Sequence, residues 1–158
     1  MTSYQQNRLT AEWVDYLNNN KLPLKEVHAV TSLTQKIFDA LCKQSSIESF
    51  RIKWLNCKDI SQITGLNCLK KLFIERGTKI EDITPIAKLH DLEVLILGET
   101  VKIVEYSPLK ELKKLKVFSI SHYQTSTKER IKIKSLDFLN EMKSLEYVDL
   151  VDVKCDTR

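Results

Sequence analysis

The sequence offers few side chains in arrangements that could perform acid–base or nucleophilic chemistry. Its three histidines, His28, His90 and His122, stand far apart in the chain. None of them has a serine or cysteine in a recognisable nucleophile setting, where an imidazole activates a hydroxyl or a thiol. We therefore expect each histidine to be a surface residue, and we expect the protein not to be an enzyme.

The other reactive groups also lack the spacing of a known site. The chain has 3 glycines, too few for a Gly-rich phosphate loop, and 4 cysteines without zinc-ligand spacing. Asp59, Asp82 and Glu105 recur every 23 residues. This column could hold a cation, but it is far more typical of carboxylates that cap or solvate the segments that follow. We predict no metal ion and no cofactor.

Charge gives little support for nucleic-acid binding. The net charge of +4 is mild. The basic run over residues 110–116 alternates lysines with leucines that fit a core, so its lysines are expected to be solvated. Binding to single-stranded nucleic acid would need interleaved aromatic residues, which this run lacks. We expect no nucleic-acid partner.

Hydropathy indicates neither a membrane segment nor a secretory leader. The longest apolar runs, such as Val94–Leu97, are far too short to span a bilayer. The first eight residues show no apolar stretch of a signal peptide. Cys57 falls at a position where later segments carry Ile80 and Ile103, so we predict a buried thiol. Together these features predict a cytoplasmic protein with no membrane partner.

A repeated segment organises most of the chain. Successive first members are 23, 22, 23, 23 and 30 residues apart, a period typical of a leucine-rich-repeat solenoid. The second half of each segment alternates like a strand, with Leu95 and Leu97 inward and Val94 and Ile96 outward. The six segments are Leu24/Val27/Ala29, Ile47/Phe50/Ile52, Leu69/Leu72/Ile74, Leu92/Leu95/Leu97, Leu115/Phe118/Ile120 and Leu145/Val148/Leu150.

A second apolar set follows each strand at helical spacing and predicts a short helical or 3₁₀ return segment. Ser61, Thr84 and Ser107 stand before the last two members of each set, and we predict that they act as N-caps, with Pro85 and Pro108 in the first turn. The sets are Cys57/Ile60/Ile63/Leu66, Ile80/Ile83/Ile86/Leu89, Ile103/Tyr106/Leu109/Leu112 and, after a longer interval, Ile131/Ile133/Leu136/Leu139/Met142.

The two ends of the repeat array differ from its middle. Leu9, Trp13, Tyr16 and Leu17 lie on one face of a helix that we expect to begin at Thr10 and to end at residues 18–20. Residues 1–21 are thus predicted to form a helical cap. Residues 34–43 predict a fuller helix with Ile37, Phe38 and Leu41 inward. Residues 22–158 would hold about six repeats, the last incomplete, within one domain spanning 1–158.

Two features leave alternatives open. The fifth repeat is 7 residues longer than the others, and the excess falls at 121–130, as an exposed loop that is either a tolerated insertion or a partner contact. After residue 150 no return segment follows. Either the chain is truncated there, or a short strand at 151–155 shields the last repeat, or a second molecule covers it. The protein would accordingly be a monomer or bound to a partner.

The motifs resemble one known family. The run Ile80–Leu89 matches the return segment, and Leu92–Leu97 matches the strand, of the short bacterial leucine-rich repeats found in internalins. The resemblance covers roughly residues 22–153. It implies an α/β horseshoe with a parallel, concave β-sheet and convex helical or 3₁₀ segments, and it implies protein binding. One departure is clear: the asparagine of the family's ladder is missing from every repeat, so we expect no regular ladder.

The outward strand positions predict a binding face on the concave sheet. Neighbouring strands lie about 4.8 Å apart, so the large outward residues of the middle repeats should form one apolar patch with charged flanks, as interaction sites do. Strand propensity alone would also place such residues there. The predicted partner-binding residues are Arg51, Lys53, Lys71, Phe73, Val94, Ile96, Val117, Tyr147 and Asp149.

These observations predict a protein–protein interaction module. The most concrete form is an immunity protein that neutralises a cognate bacterial toxin, which the small size and bacterial type of repeat favour. The alternative is a regulatory or targeting subunit that recruits an enzyme, which would need a second surface.

Overall fold

The computed structural model describes residues 3–122 and 130–156, with side chains from Thr10 onward. Two helices and eight strands occur in these ranges, together with four 3₁₀ segments. The helices and strands are α1 (Ser3–Asn19), β1 (Glu26–Leu33), α2 (Gln35–Cys42), β2 (Ser49–Leu55), β3 (Lys71–Ile74), β4 (Val94–Gly98), β5 (Val117–Ser121), β6 (Ile131–Ile133), β7 (Tyr147–Val151) and β8 (Val153–Cys155). The 3₁₀ segments are η1 (Ser61–Gly65), η2 (Ile86–Lys88), η3 (Ser107–Glu111) and η4 (Asp137–Glu141).

Six strands form one parallel sheet in the order β1-β2-β3-β4-β5-β7. Equivalent residues of successive repeats are paired, so that Val94, for example, lies between Lys71 and Val117. The register shifts only within the β1–β2 pair, between Ala29 and Ser32. This pairing confirms the predicted parallel sheet of a solenoid, whereas the horseshoe curvature stays a prediction.

The core lies between the sheet and the return segments. Leu95 and Leu97 are fully buried, as predicted. The return sets of the second, third and fourth repeats are also buried throughout, including Cys57 and Tyr106. Each such side chain contributes roughly 1.5–3 kcal/mol when it leaves water. Because the buried residues of one repeat pack on the next, stacking supplies the stability that no single repeat can have.

The starts of the 3₁₀ segments correct one prediction. In η1, η2 and η3, the side chain of the N-cap residue makes no capping hydrogen bond. Carboxylates two residues ahead accept the exposed backbone N–H groups instead. The N–H of Ser61 donates to Asp59 Oδ1 at 2.8 Å, that of Thr84 to Asp82 Oδ1 at 2.8 Å, and that of Ser107 to Glu105 Oε1 at 3.0 Å.

The acidic column therefore caps the return segments, which was the favoured interpretation of its spacing. The backbone N–H of Ser61 holds the pKa of Asp59 below its ordinary value. Hydrogen bonding from Ser107, side chain first and backbone second, likewise lowers the pKa of Glu105. A hydrogen-bonded, ionised carboxylate at the start of a helical turn also suits the partial positive charge found there.

The N-terminal helix differs from its prediction. It begins at Ser3 rather than after Thr10, and of its described face only Leu17 is buried. Trp13 and Tyr16 are 59% and 51% exposed, because α1 packs through the narrow stripe of Val14 and Leu17. The side chain of Leu9 lies outside the described residues. The second helix is confirmed, with Phe38 and Leu41 buried.

The C-terminal strand forms as one of the alternatives expected. Strand β8 pairs in parallel with β6, in a small sheet separate from the main one. Strand β7 is an edge of the main sheet, and Val148, which occupies an inward position, is still 40% exposed. Most of the predicted 121–130 loop, residues 123–129, lies outside the described residues.

Backbone bonds and ion pairs connect the repeats where an asparagine ladder would stand. The N–H groups of Leu55, Gly77 and Glu99 each donate to a carbonyl of the following repeat, at 2.9 Å. Residues immediately before the strands alternate in charge and form what we call the rim ladder. Its contacts are Lys25 Nζ–Glu48 Oε1 at 2.7 Å, Lys70 Nζ–Glu48 Oε2 at 2.9 Å and Lys116 Nζ–Glu93 Oε2 at 2.9 Å.

Candidate protein-binding face

The solvent-facing side of the six-stranded sheet, here called the sheet face, carries eight of the nine predicted binding residues in two columns. The ninth, Lys53, lies farther along β2 and outside these columns, with its Nζ 4.6 Å from the Trp54 ring. The strand register pairs Arg51 with Phe73, Phe73 with Ile96 and so on, to Asp149. The structure thus brings the predicted residues together in the expected order, and their role in binding stays a prediction. The columns are His28/Arg51/Phe73/Ile96/Ser119/Asp149 and Glu26/Ser49/Lys71/Val94/Val117/Tyr147.

The apolar residues of the sheet face form a continuous but shallow patch. Phe73, Val94, Ile96 and Val117 are each half-buried, because side chains on adjacent strands cover one another. Tyr147 on the edge strand is 56% exposed. Such a patch offers apolar area to a partner without a deep pocket, as the central part of a protein interface does.

The β2 end of the face is cationic and ordered. The guanidinium carbon of Arg51 lies 4.5 Å from the centroid of the Phe73 ring, a cation–π arrangement. Arg51 Nη1 also lies 3.5 Å from Glu75 Oε1, a long contact between two half-exposed side chains. Stacking orients the guanidinium while the Arg51 side chain is still 45% exposed, which suits recognition of a carboxylate.

Two further exposed residues belong to this end and escaped sequence reasoning. Trp54 is 36% exposed with Lys53 Nζ 4.6 Å from its ring, and Val30 on β1 is 55% exposed. Both stand where the β1–β2 register shifts, so the inward–outward alternation fails locally. The one signal in the sequence was the second repeat, which is one residue shorter than its neighbours. Tryptophan is enriched among the residues that dominate binding energy.

The β7 end of the face is acidic. Ser119 Oγ donates to Asp149 Oδ2 at 3.3 Å, and Ser119 itself is 94% buried beneath its neighbours. Asp149 lies at the β7 end of its column, and Arg51 is next to the other end, where the column finishes at His28. Phe73, Ile96 and Ser119 separate the two charged residues. The electrostatic asymmetry runs across the strands, from cationic at β2 to anionic at β7.

The next outward position after Ile96 on β4 is Gly98, which is buried. A Cβ atom at Gly98 would stand 2.1 Å from the carbonyl oxygen of Glu75, closer than any real contact. The neighbouring position on β5 is Ser121, a small and buried residue. The close approach of the backbone at Glu75 thus requires glycine at this position.

His122 corrects the prediction that every histidine lies on the surface. It is buried immediately after β5, with Nε2 3.2 Å from Glu99 Oε2 and Nδ1 3.5 Å from Asp152 Oδ2. Both carboxylate residues have left-handed backbone, with φ of 55° at Glu99 and 53° at Asp152. Arg130 Nε contacts the other oxygen of Asp152 at 3.2 Å. Its members occupy the same position of the fourth, fifth and sixth repeats, 7 residues after Leu92, Leu115 and Leu145, so the repeat itself was a signal that sequence reasoning did not use.

This cluster, Glu99–His122–Asp152, ties together three successive repeats at the ends of their strands. Glu99 contacts Nε2 at 3.2 Å, whereas Nδ1 lies 3.5 Å from Asp152 and has no hydrogen-bond partner among the described residues. The two carboxylates approach opposite nitrogens of the ring rather than converging on a ligand. Within residues 3–122 and 130–156, no group of three His, Cys, Asp or Glu side chains could hold a metal ion. We interpret the cluster as a set of contacts that stabilises the packing of these three repeats.

Burial makes the thiols of Cys42 and Cys57 unreactive. Cys57 is buried as predicted, and desolvation raises its pKa to about 12. Burial raises the pKa of Cys42 further. The thiolate is the nucleophilic form, so both groups stay protonated and behave as small apolar side chains.

The helices in the described part of the chain are too short or too polar to cross a lipid bilayer.

Comparison with known proteins identifies the fold. No family model matches the sequence, and no curated protein matches it. Among solved structures, internalin C2 from Listeria monocytogenes is similar, with a TM-score of 0.63 and 16% identity over 94% of this chain and 66% of that one.

Two other solved structures align over most of this chain with lower scores. The internalin InlF of Listeria monocytogenes has a TM-score of 0.46 and 16% identity, over 92% of this chain and 52% of that one. A leucine-rich-repeat protein from Leptospira interrogans has a TM-score of 0.36 and 15% identity, over 91% and 46%. The chain spans less than two thirds of the length of each. The likeness to internalin C2 shows that this chain has the leucine-rich-repeat fold of the internalin type, as its motifs predicted.

Proposed function

We propose that this chain is a protein-interaction module whose sheet face receives one protein partner. The observation that carries the proposal is the apolar row from Phe73 to Val117 with Arg51 at one end and Asp149 at the other. An apolar patch with complementary charges at its flanks has the anatomy of a protein interface.

Strand propensity is the competing explanation for this patch, since β-branched residues favour exposed strand positions. It accounts for Val94, Val117 and Ile96. It accounts less well for three aromatic residues around one sheet face, of which Phe73 stacks beneath a guanidinium, Trp54 lies beneath an ammonium group and Tyr147 is exposed.

The more specific form of the proposal is an immunity protein that neutralises a cognate bacterial toxin by covering it. The internalin type of repeat points to a bacterial source, and a rigid face with fixed charges suits stoichiometric inhibition of one partner. Charge complementarity would raise the association rate and reject wrong partners. Loss of toxin inhibition in a variant with a damaged sheet face would support this form.

A tagged pull-down from the source cell, with the wild-type chain beside Ile96→Arg, tests the proposal. The arginine places a charge at the centre of the apolar patch, so a single dominant partner should disappear from the variant. Lys79→Arg, in an exposed turn outside the sheet, serves as the matched control and should retain that partner. Recovery of the same partners by Ile96→Arg would show that binding occurs elsewhere.

The second candidate, a subunit that recruits an enzyme, is favoured by one observation. Trp13 and Tyr16 form an exposed edge-to-face pair on α1, with ring centroids 6.5 Å apart, on the side of the chain away from β7. A recruiting subunit needs two surfaces, and this pair would be the second. Trp13→Ala should then release one protein from the pull-down while Ile96→Arg releases another.

A further inference from the structure

We infer that the element received by the sheet face is an amphipathic α-helix of the partner, lying across the strands. It carries a carboxylate over β2, apolar side chains over β3 to β5 and a cation over β7. The inference rests on the proposed function and names the kind of partner that the face fits.

The spacing of the columns favours a helix. Successive residues of one column lie on adjacent strands about 4.8 Å apart, so Arg51 and Asp149 are separated by about 19 Å. One turn of an α-helix rises about 5.4 Å, which places one side chain over each strand when the helix crosses the sheet. An extended segment repeats on one side every ~6.8 Å and would lose this match within two strands.

The charges on the sheet face determine which end of the partner helix is acidic and which is basic. At the β2 end, Arg51 is held on the Phe73 ring, and exposed Lys71 pairs with Ser49 in the adjoining column. The contact between Arg51 and Glu75 is 3.5 Å long and half-exposed, so a partner carboxylate can share the guanidinium. At the opposite end, Asp149 accepts the 3.3 Å hydrogen bond of Ser119, and its carboxylate suits a lysine or arginine of the partner.

The middle of the face supplies the apolar contact. Phe73, Ile96, Val94 and Val117 lie on adjacent strands in two neighbouring columns. Residues at i, i+4 and i+7 of an amphipathic helix would cover this area in register with β3, β4 and β5.

A phage-displayed library of 15-residue helical peptides, randomised on one face, tests the inference. It is selected on the immobilised wild-type chain and depleted on Ile96→Arg. We expect enriched sequences with apolar residues at i, i+4 and i+7, an acidic residue one turn before or after them, and a basic residue at the other end. Enrichment with alternating period two, without a charge gradient, or with nothing specific to the wild type overturns the inference.

A charge reversal supplies the second readout. Selection on Arg51→Glu should replace the enriched acidic residue by a basic one, and peptides from the wild-type selection should bind this variant at least about tenfold more weakly. Asp149→Lys should reverse the preference at the opposite end, which guards against loss of folding in one variant. Lys79→Glu, an equal charge change in an exposed turn, should alter neither.

The two proposals fail differently. If the pull-down partner is lost with Ile96→Arg but the selected peptides lack helical spacing, the sheet face binds protein and the helix is wrong. If Ile96→Arg retains every partner and no peptide is enriched, both proposals fall together.

Discussion

The Nε2 atom of His122 lies 3.2 Å from the Oε2 atom of Glu99, and both residues are buried, with 5% of each exposed. A buried carboxylate is costly unless it is paired or hydrogen-bonded. The imidazole therefore provides part of the compensation for Glu99, on a residue whose backbone is itself in the left-handed region. This pair connects the fourth repeat to the fifth, just before the insertion that lengthens the fifth repeat.

Replacing His122 by phenylalanine should lower the free energy of unfolding by about 1–3 kcal/mol, because the Glu99 carboxylate loses a buried partner. The change keeps an aromatic ring of similar size, so loss of packing contributes little. Urea unfolding followed by circular dichroism measures the effect. Adding Glu99→Gln to this variant should restore part of the loss, since the buried charge is removed. His90→Phe at an exposed position is the control, and an equal loss there would contradict the pairing.

Alanine at Asp82 should destabilise the protein by about 1 kcal/mol, the usual cost of losing a capping acceptor. Its carboxylate accepts the N–H of Thr84 at 2.8 Å. Thr84→Ala, which removes the side chain that the sequence nominated as the cap, should change stability by less than about 0.5 kcal/mol. Thermal unfolding of the two variants side by side distinguishes these roles, and a larger effect at Thr84 would restore the sequence-based assignment.

Substitutions at two adjacent residues of β4 should have different effects, one on stability and the other on partner binding. Leu95→Ala removes a fully buried side chain and is expected to cost about 2–5 kcal/mol. Ile96→Arg lies on the sheet face and should cost no more than about 1 kcal/mol while abolishing partner binding. Denaturant midpoints measure the first effect, and the pull-down measures the second. Unfolding by Ile96→Arg would mean that the inward and outward assignments are reversed.

Acid should weaken the rim ladder. Hydrogen bonds from Lys25 and Lys70 lower the pKa of Glu48 from 4.5 to about 2. Because the unfolded chain takes up this proton first, the stabilisation is complete above pH 4.5 and is lost as the pH falls toward 2. Hydrogen bonds from Lys116 and Lys114 lower the pKa of Glu93 and Asp91 in the same direction.

The urea midpoint should therefore decline through this acidic range, and Glu48→Gln should show a shallower decline than the wild type. Glu111→Gln, at an exposed position of η3, is the matched control and should follow the wild-type curve. A wild-type slope in the Glu48→Gln variant would assign the acid sensitivity to other carboxylates.

The regular part of the fold was predictable because the residues that recur with the repeat period are the ones that are buried. Leu72, Leu95 and Phe118 recur at nearly constant spacing, and a residue that must be buried in each repeat leaves its trace in the sequence. The same regularity placed Phe73 beside Ile96, since equal repeat lengths leave the register no freedom.

The cluster around His122 follows the period, since its three members share one repeat position, but nothing in that position alone indicates that the imidazole is buried. Two other features were not predictable because they depend on contacts outside the period. The exposure of Trp54 follows from the register shift between β1 and β2. Trp13 and Tyr16 fit an amphipathic stripe, but the surface that α1 meets is too narrow to cover them. In each case local pattern and tertiary surroundings disagree, and the surroundings decide.

The charges of the rim ladder have a period of two repeats, twice that of the apolar pattern. Its residues read Lys25, Glu48, Lys70, Glu93, Lys116 and Glu146, so the sign returns only after two repeats. Excising one repeat, such as residues 71–93, would bring Lys70 next to Lys116, whereas excising two would join Glu48 to Lys116 and keep opposite signs adjacent. Repeats of this solenoid can thus be added or removed in pairs without changing the alternation of charge. Adding or removing a single repeat would place two like charges next to each other at the junction.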